Sequence, residues 1–330
     1  MSDGCGTVDQ CYTCSRYVFQ YDFAALTDHD WFTGNLLLPS EWEWIKIVGQ
    51  LYDQSGNFVT IPAYEWTTLR IPRGYGHKNI YFADWSQPLL PSFEIAPSTK
   101  ELIEKLKPLK AIAIPHHIGW TGVDWENFDS ELSPCIEIVS AHGAFEYMGN
   151  EPITHRGGMS GYFIQDGLTN GMRFGFTGSS DGHGLRYHHG IARKENEWQT
   201  GLTAVLATEL TRESVLDALK KRRVYATSGV PVKILFSINN TLMGGEVQTA
   251  SKPEITFDVA GTAPLKYIIL IRNNENIQYF GKDIRNGYGI RKTFIDETPK
   301  PGKYWYYIRV IQENGEMAWS SPIWVEYLGK

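Results

Sequence analysis

The chain has 330 residues, is 42% hydrophobic and carries a formal net charge of −6. A chain of this length can bury a substantial core, and we expect two domains. The negative charge and the lack of a basic stripe exclude nucleic acid and anionic membranes as expected partners. No apolar run approaches the ~18 to 20 residues that cross a bilayer.

The N-terminal residues have neither the basic stretch nor the apolar core of a signal peptide, so we expect a cytoplasmic protein, unless the true N-terminus lies upstream. Cys5, Cys11 and Cys14 could bind a metal as thiolates, but a fourth nearby ligand is missing. Together with Cys135, they are more simply interpreted as reduced thiols of a cytosolic protein.

In chain order, six apolar runs are predicted to form buried strands, at residues 22–26, 58–64, 111–114, 136–139, 173–176 and 203–208. Helices are predicted between them. Ser40 with Glu43 and Ser98 with Glu101 have the spacing of capping boxes, and Thr211 is the expected cap of a helix over 213–223. The segment around His77 is predicted to be a loop.

These spacings predict the overall architecture. Strands separated by segments long enough for crossovers favour a parallel sheet, most simply a barrel. Five of the six strands are followed by a histidine or an acid, and barrel enzymes assemble their sites at that end of the strands. The pattern therefore predicts an α/β barrel with a site at the carboxyl ends of its strands.

Beyond residue 229 the chain changes to short alternating strands punctuated by turn residues. Strands are predicted at 233–238, 254–259, 267–272, 291–295, 304–312 and 323–327. About a hundred residues with this spacing predict an all-β sandwich of the immunoglobulin or fibronectin type, with a role in packing or recognition. We thus expect a barrel domain over 1–229 and a sandwich over 230–330.

The candidate site residues follow the predicted strands. Asp181 and His183 are two residues apart, so on an extended chain both face the same point. Glu65 ends a buried strand, where an acid is costly unless it is paired with a cation. His116 and His117 should point to opposite sides, which predicts that only one of them binds metal. Mixed oxygen and nitrogen ligands suit zinc, manganese or iron.

Other residues near these strands have two interpretations each. Glu137 and His142 are candidates for orienting a ligand or contacting substrate. Three residues could grip an anion but are more simply solvated surface: Arg156, Arg186 and His188. The Trp-rich stretches around Trp66, Trp85, Trp120 and Trp125 could form a stacking wall for a ligand, although core packing is the simpler interpretation.

The motifs Ser2-Asp3-Gly4, Thr27-Asp28-His29, Tyr64-Glu65, His77, His116-His117 and Asp181-Gly182-His183, in this order, resemble the PHP (polymerase and histidinol phosphatase) superfamily. The resemblance covers residues 1 to about 227 and is closest to the members of uncharacterised function that carry a C-terminal sandwich. It implies a distorted (β/α)7 barrel, a centre of two or three divalent metals and hydrolysis of phosphoesters.

The resemblance also implies a ligand set. It comprises Asp3, His29, Glu65, His77, His116, His117, Asp181 and His183. The family's opening His-x-His motif is missing, so the first strand is expected to lie upstream, or the chain is a degenerate member.

We therefore expect a metal-dependent phosphoesterase that acts on a small, anionic substrate through a metal-bridging hydroxide. Asp181, His183 or His142 would move the proton. The alternatives are an amidohydrolase or lactonase with the same centre, a non-catalytic metal-bound binding protein, and carbohydrate binding by the sandwich.

Overall fold

A computed structural model describes residues 6–32, 35–68, 75–183, 200–281, 284 and 287–329. The strands of the N-terminal part, in chain order, are β1 (Phe23–Ala24), β2 (Trp31–Phe32), β3 (Asn35–Leu36), β4 (Val59–Thr60), β5 (Ala63–Trp66), β6 (His77–Phe82), β7 (Ala111–His116), β8 (Cys135–Ser140), β9 (Gly143–Ala144), β10 (Gly175–Gly178), β11 (Leu202–Val205) and β12 (Val224–Thr227).

The strands that follow are β13 (Lys233–Ile238), β14 (Thr241–Leu242), β15 (Glu246–Thr249), β16 (Glu254–Ala260), β17 (Leu265–Arg272), β18 (Glu275–Tyr279), β19 (Gly289–Ile295), β20 (Gly302–Gln312), β21 (Met317–Ser320) and β22 (Ile323–Tyr327). The helices are α1 (Val8–Thr13), α2 (Pro39–Tyr52), α3 (Thr99–Leu106), α4 (Ile118–Thr121), α5 (Ile164–Thr169) and α6 (Arg212–Lys220).

Local capping determines where the helices begin. The predicted caps Ser98 and Thr211 are confirmed, since each hydroxyl accepts a hydrogen bond from the backbone of the first turn of α3 or α6. The capping box predicted at Ser40 is wrong. Helix α2 begins two residues earlier than this box predicts, with Leu38 as its cap and Pro39 at its first position, where the missing N–H costs nothing. Glu41 accepts from the Leu38 amide at 2.8 Å.

The expected distorted (β/α)7 barrel is wrong. Over the described residues the chain is mostly β-strand in several sheets, with 19% helix and only short helices. Only two residues separate β4 from β5, and the four-residue helix α4 lies between β7 and β8. Parallel neighbours need crossovers of a dozen or more residues, usually with a full helix, and these connections are too short or too poor in helix to supply them.

Strand β6 is the main reason for the different topology. It occupies the stretch predicted to be a loop and pairs antiparallel with both β5 and β7. Strand β10 pairs parallel with β8, and β1 pairs parallel with β4. Strands β1 to β10 therefore form separate small sheets, and the described candidate ligands lie at or near the ends of these strands.

The C-terminal part is rich in β-sheet, consistent with a β-sandwich. The four-stranded sheet β14-β13-β16-β19 and the eight-stranded sheet that contains β17, β20 and β22 share one apolar core. Burial alternates along β13 and β16, as expected for strands with one face inward. The six strands predicted here are confirmed, two of them with the same ends.

The eight-stranded sheet also includes strands from before residue 230. β11 pairs with β12, and β12 pairs with β21. A second apolar core joins residues of the small sheets, such as Ile136 and Phe176, to residues of the large sheet, such as Ile271 and Trp319. The division at 229/230 stays a prediction, and it falls between strands that belong to one sheet.

Among the described helices, none is long and apolar enough to cross a membrane.

Candidate metal centre

Side chains from several small sheets converge on one buried point. Because β6 is antiparallel, its first residue, His77, lies opposite His116, the last residue of β7. His29 reaches the same place through a parallel bridge to Glu65. Asp181 follows β10, whose pairing with β8 carries it to the same region. Residues separated by up to 152 positions in the chain are therefore neighbours.

Glu65 is the carboxylate around which three imidazoles gather. Its side chain is fully buried, and its Oε1 lies 2.8 Å from Nδ1 of His77, 3.1 Å from Nδ1 of His29 and 3.3 Å from Nε2 of His116. Thr67 Oγ1 lies 3.1 Å from the same oxygen and donates a hydrogen bond to it.

Asp181 gathers a second group of imidazoles. Its Oδ2 lies 3.2 Å from Nε2 of His142, 3.7 Å from Nε2 of His117 and 3.7 Å from Nδ1 of His116. The two nitrogens of His116 thus face different carboxylates, Glu65 on one side and Asp181 on the other. His116 is the side chain that joins the two groups.

Both neighbouring histidines reach the centre, contrary to the expectation that only one would face it. His117 has φ 34° and ψ 42°, a left-handed conformation that ends β7 and turns its ring back toward the site. Its ring centroid lies 3.8 Å from that of His116. Asp181 also has a positive φ, 46°. Such strained residues often mark functional sites.

The charges at the centre depend on one another. Burial raises the pKa of Glu65, but the His29 and His116 imidazoles outweigh burial and hold that pKa well below its usual range. Burial lowers the pKa of His116, but Glu65 and Asp181 outweigh it and raise that pKa well above the usual value. Burial and the neighbouring His116 lower the pKa of His117. The centre thus favours an ionised Glu65 and a neutral His117.

Several buried ligand atoms lack a hydrogen-bond partner among the described residues: Glu65 Oε2, His77 Nε2, both ring nitrogens of His116 and Asp181 Oδ2. Ligand atoms of two groups, Glu65/His77/His116/His117 and His116/Glu137/Asp181, lie within 4.8 Å of one another. Imidazole nitrogens with carboxylate oxygens fit zinc, manganese or iron. The donor set and its unsatisfied atoms therefore fit a divalent metal.

Three hydroxyl groups at this centre were not identified from the sequence. Thr67 Oγ1 lies 2.7 Å from Nδ1 of His29, and Thr121 Oγ1 lies 2.9 Å from Nδ1 of His117. Ser179 donates to Glu137, which also accepts from the His117 amide at 3.0 Å. The spacing of the two threonines was a usable signal. Thr67 directly follows β5, two residues after Glu65, and Thr121 is four residues after His117, which caps helix α4.

The remaining predicted residues fall into three groups. His183 is half-buried, and its ring stacks on that of His29 with centroids 5.7 Å apart. Arg156 is exposed on a short turn, His155–Gly157. Three predicted residues lie outside the described part of the chain: Asp3, Arg186 and His188.

The chain is similar to proteins with no described activity. Residues 185–256 match the model of a family described as "Protein of unknown function (DUF3604)". An uncharacterized protein of Chlamydia pneumoniae is 32% identical over 88% of this chain and 50% of its own length. Uncharacterized proteins of Chlamydia muridarum and Chlamydia trachomatis are 35% and 34% identical, each over 62% of this chain and 36% of its own length. The chain spans half or less of each relative.

Two solved structures give weak similarity. Fibronectin(III)-like modules of Clostridium thermocellum CbhA match 27% of this chain and 93% of their own, with 16% identity and a TM-score of 0.20. The endo-beta-1,4-mannanase of Thermotoga petrophila matches 88% of this chain and 61% of its own, with 12% identity and a TM-score of 0.22.

Proposed function

We propose that the chain is a metal-dependent hydrolase whose preferred substrates are phosphoesters. The observation that carries the proposal is the buried cluster of Glu65, His77, His116, His117 and Asp181, in which ligand atoms within reach of a common point lack hydrogen-bond partners among the described residues.

Burial makes a purely structural role for this cluster costly. Unsatisfied polar atoms and buried charges each cost free energy unless they are paired. Glu65 and His116 are fully buried, and Asp181 is 7% exposed. A bound cation would satisfy the orphaned oxygens and nitrogens together, which favours metal binding over a self-contained ion-pair network.

Glu65, His77, His116 and His117 would hold one ion, and His116, Glu137 and Asp181 surround a second position. When bound, divalent ions lower the pKa of coordinated water and offset negative charge on the substrate. His142 is 16% exposed with Nε2 beside Asp181, so it can exchange a proton between the centre and the leaving group. His183 and Asp181 remain the other proposed proton carriers.

The choice of phosphoesters rests on the order of motifs in the sequence. The barrel that the same resemblance implies is not observed, so the substrate class needs a direct test. The same centre would also polarise a carbonyl, which makes esters and lactones the comparison substrates.

The first experiment measures metal content. Protein stripped with a chelator and dialysed against Mn²⁺ or Zn²⁺ should retain metal by mass spectrometry. Glu65→Gln and Asp181→Asn should lower retention at least about tenfold. Glu131→Gln, at an exposed acid outside the cluster, should behave as wild type. If wild-type protein retains no metal, the proposal is wrong.

The second experiment measures turnover by the metal-loaded protein on aryl phosphates, aryl esters and lactones. Preferred cleavage of phosphates supports the proposal, and preferred cleavage of the carbonyl substrates assigns the amidohydrolase or lactonase alternative. Metal retention without turnover on any panel member favours the non-catalytic metal-binding protein.

A further inference from the structure

A set of three residues lies where the buried centre approaches solvent, and we call it the recognition edge: Trp120, His155 and Arg156. Side-chain exposure increases from the buried centre toward these residues. The side chain of Asp181 is 2% exposed, that of His142 is 16% exposed, and His155 is an exposed residue.

The aromatic rings along this route touch one another. The Trp120 centroid lies 4.6 Å from that of His142 and 4.7 Å from that of His155. On its inner side, the same indole lies 5.1 Å from the ring of His117. Trp120 is therefore packed between the centre and the exposed imidazole, and is not part of the apolar core.

Trp120 carries an unmet hydrogen-bond donor. Its Nε1 is buried and has no partner among the described residues. A buried indole N–H normally finds an acceptor. The indole ring that carries this N–H lies beside the rings of His117 and His142, so an oxygen of a molecule bound next to these rings would supply the missing acceptor.

Arg156 supplies a positive charge that is not already used. It forms no ion pair with any described carboxylate, although the chain has a net charge of −6. Its φ is 57°, a conformation uncommon for a residue with a side chain, so the turn holds this residue at an energetic cost. A guanidinium that is carried by an ordered turn and forms no ion pair with a described carboxylate is suited to binding an anion.

Backbone hydrogen bonds fix the edge to the site. The His155 amide donates to the His142 carbonyl at 2.8 Å, and the Met159 amide donates to the Gly119 carbonyl at 2.7 Å. The turn that carries Arg156 is therefore tied by backbone hydrogen bonds to the segment that carries His142 and to helix α4.

We infer that the recognition edge selects phosphoesters whose alcohol part carries a planar ring. The ring would stack on the exposed imidazole of His155, while the Trp120 N–H and the Arg156 guanidinium meet the oxygens of the anion. This inference rests on the proposed function for the position of the phosphoryl group.

The test compares two non-hydrolysable probes, phenylphosphonate and methylphosphonate, by calorimetry on Mn²⁺-treated protein. Wild type should bind phenylphosphonate about tenfold more tightly. His155→Ala should bring the two affinities within about threefold of each other. Arg156→Gln and Trp120→Phe should weaken both probes about tenfold without changing their ratio, because each removes a bond to the anion.

Arg291→Gln, at an exposed arginine of the distant strand β19, is the matched control and should bind as wild type. For phenyl phosphate, Arg156→Gln should raise KM with kcat nearly unchanged, since it acts on binding. Thermal unfolding of each variant checks the fold.

Equal affinity of wild type for the two probes, or no binding of either, overturns the inference. So does an Arg156→Gln protein that binds as wild type. Phenylphosphonate preference without any turnover would refute the proposed hydrolase and keep the recognition edge. Turnover of phosphates without a preference for phenylphosphonate would support the proposed hydrolase and refute the recognition edge.

Discussion

At the scale of single residues, His117 shows how the centre is held together. Its ring Nδ1 contacts Thr121 Oγ1 at 2.9 Å, which leaves Nε2 directed at Asp181. Its amide donates to Glu137. Two contacts from different elements therefore fix His117, whose backbone is itself strained. Its ring cannot rotate without losing the contact with Thr121.

Thr121→Val removes this hydroxyl with little change of shape. We expect metal affinity to fall about ten- to a hundredfold, because outer partners orient the ligand. Competition with a chromophoric chelator measures the change. Thr121→Ser keeps the hydroxyl and should bind metal nearly as wild type, whereas an unchanged Thr121→Val protein would mean that the contact does not position His117.

Lys78, next to the centre on β6, is a buried lysine without an ion pair among the described residues. Its Nζ donates to the Tyr75 carbonyl at 2.6 Å and lies 4.6 Å from the ring centroid of Trp66. Burial lowers the pKa of Lys78 to about 7. Between this value and the usual 10.5, the unfolded chain binds a proton that the folded chain does not.

This difference predicts a stability that depends on pH. Relative to Lys78→Met, wild type should gain on the order of 3 kcal/mol of unfolding free energy from pH 7 to pH 9.5, because over this window the unfolded lysine keeps a proton that the folded lysine loses. Urea unfolding at several pH values measures it. For Lys233→Met, at an exposed position, the difference in unfolding free energy from wild type should not change with pH. A difference for Lys78→Met that does not change with pH would contradict the prediction.

At the scale of elements, β6 determines the geometry of the centre. Its antiparallel course brings His77 from the start of the strand to the end where Glu65 and His116 lie. The preceding Gly76 has φ 71°, and a Cβ there would lie 2.1 Å from the Gly122 carbonyl oxygen. The start of β6 is therefore packed tightly against the segment after α4.

Gly76→Ala should displace the start of β6 and with it His77. We expect a loss of more than about 2 kcal/mol of stability, because the steric clash adds to the cost of a positive φ, together with weaker metal binding. Thermal unfolding and metal content measure the two effects. Gly56→Ala is the matched control, since Gly56 has φ 83° but nothing within 4 Å. It should cost only about 1 kcal/mol, and equal losses in the two variants would refute the packing explanation.

At the scale of the whole molecule, one buried network joins the centre to the large sheet. Glu146 accepts from Arg309 at 2.7 and 2.8 Å, from Tyr307 at 2.6 Å and from Trp319 at 2.8 Å. Glu146 lies four residues after His142. The C-terminal strands thus anchor the segment that carries a candidate proton carrier. The carboxylate of this network comes from a segment that precedes the predicted sandwich.

Glu146→Gln should destabilise the protein by about 3 to 5 kcal/mol, because it leaves the buried Arg309 charge without a counter-ion. Denaturant unfolding measures the loss, and adding Arg309→Met should recover part of it. Lys221→Met breaks an exposed pair with Asp217 and should cost less than about 1 kcal/mol. A loss for Glu146→Gln as small as that of the control would contradict a structural role for the network.

The sequence pattern was sufficient to predict many of the strands and to name most residues of the candidate metal centre. Apolar runs and turn residues act locally, so the strands at 111–114 and 136–139 and six of the ten strands beyond residue 232 were predicted where they occur. Likewise, an acid such as Glu65 at a buried strand end needs a partner wherever the chain folds. These features depend on residues that are close in sequence, so a sequence pattern is enough to predict them.

How the strands pair depends on contacts between distant segments of the chain, which exist only in the tertiary structure. Periodicity does not distinguish a parallel from an antiparallel neighbour, and β6 begins in a stretch with the glycines and aromatics of a loop, so the barrel was predicted and several small sheets were found. The same limit applies to His117, whose left-handed backbone turns both histidines inward. Thr121 and Glu146 act through contacts that exist only once distant segments pack together, and packing is a property of the fold.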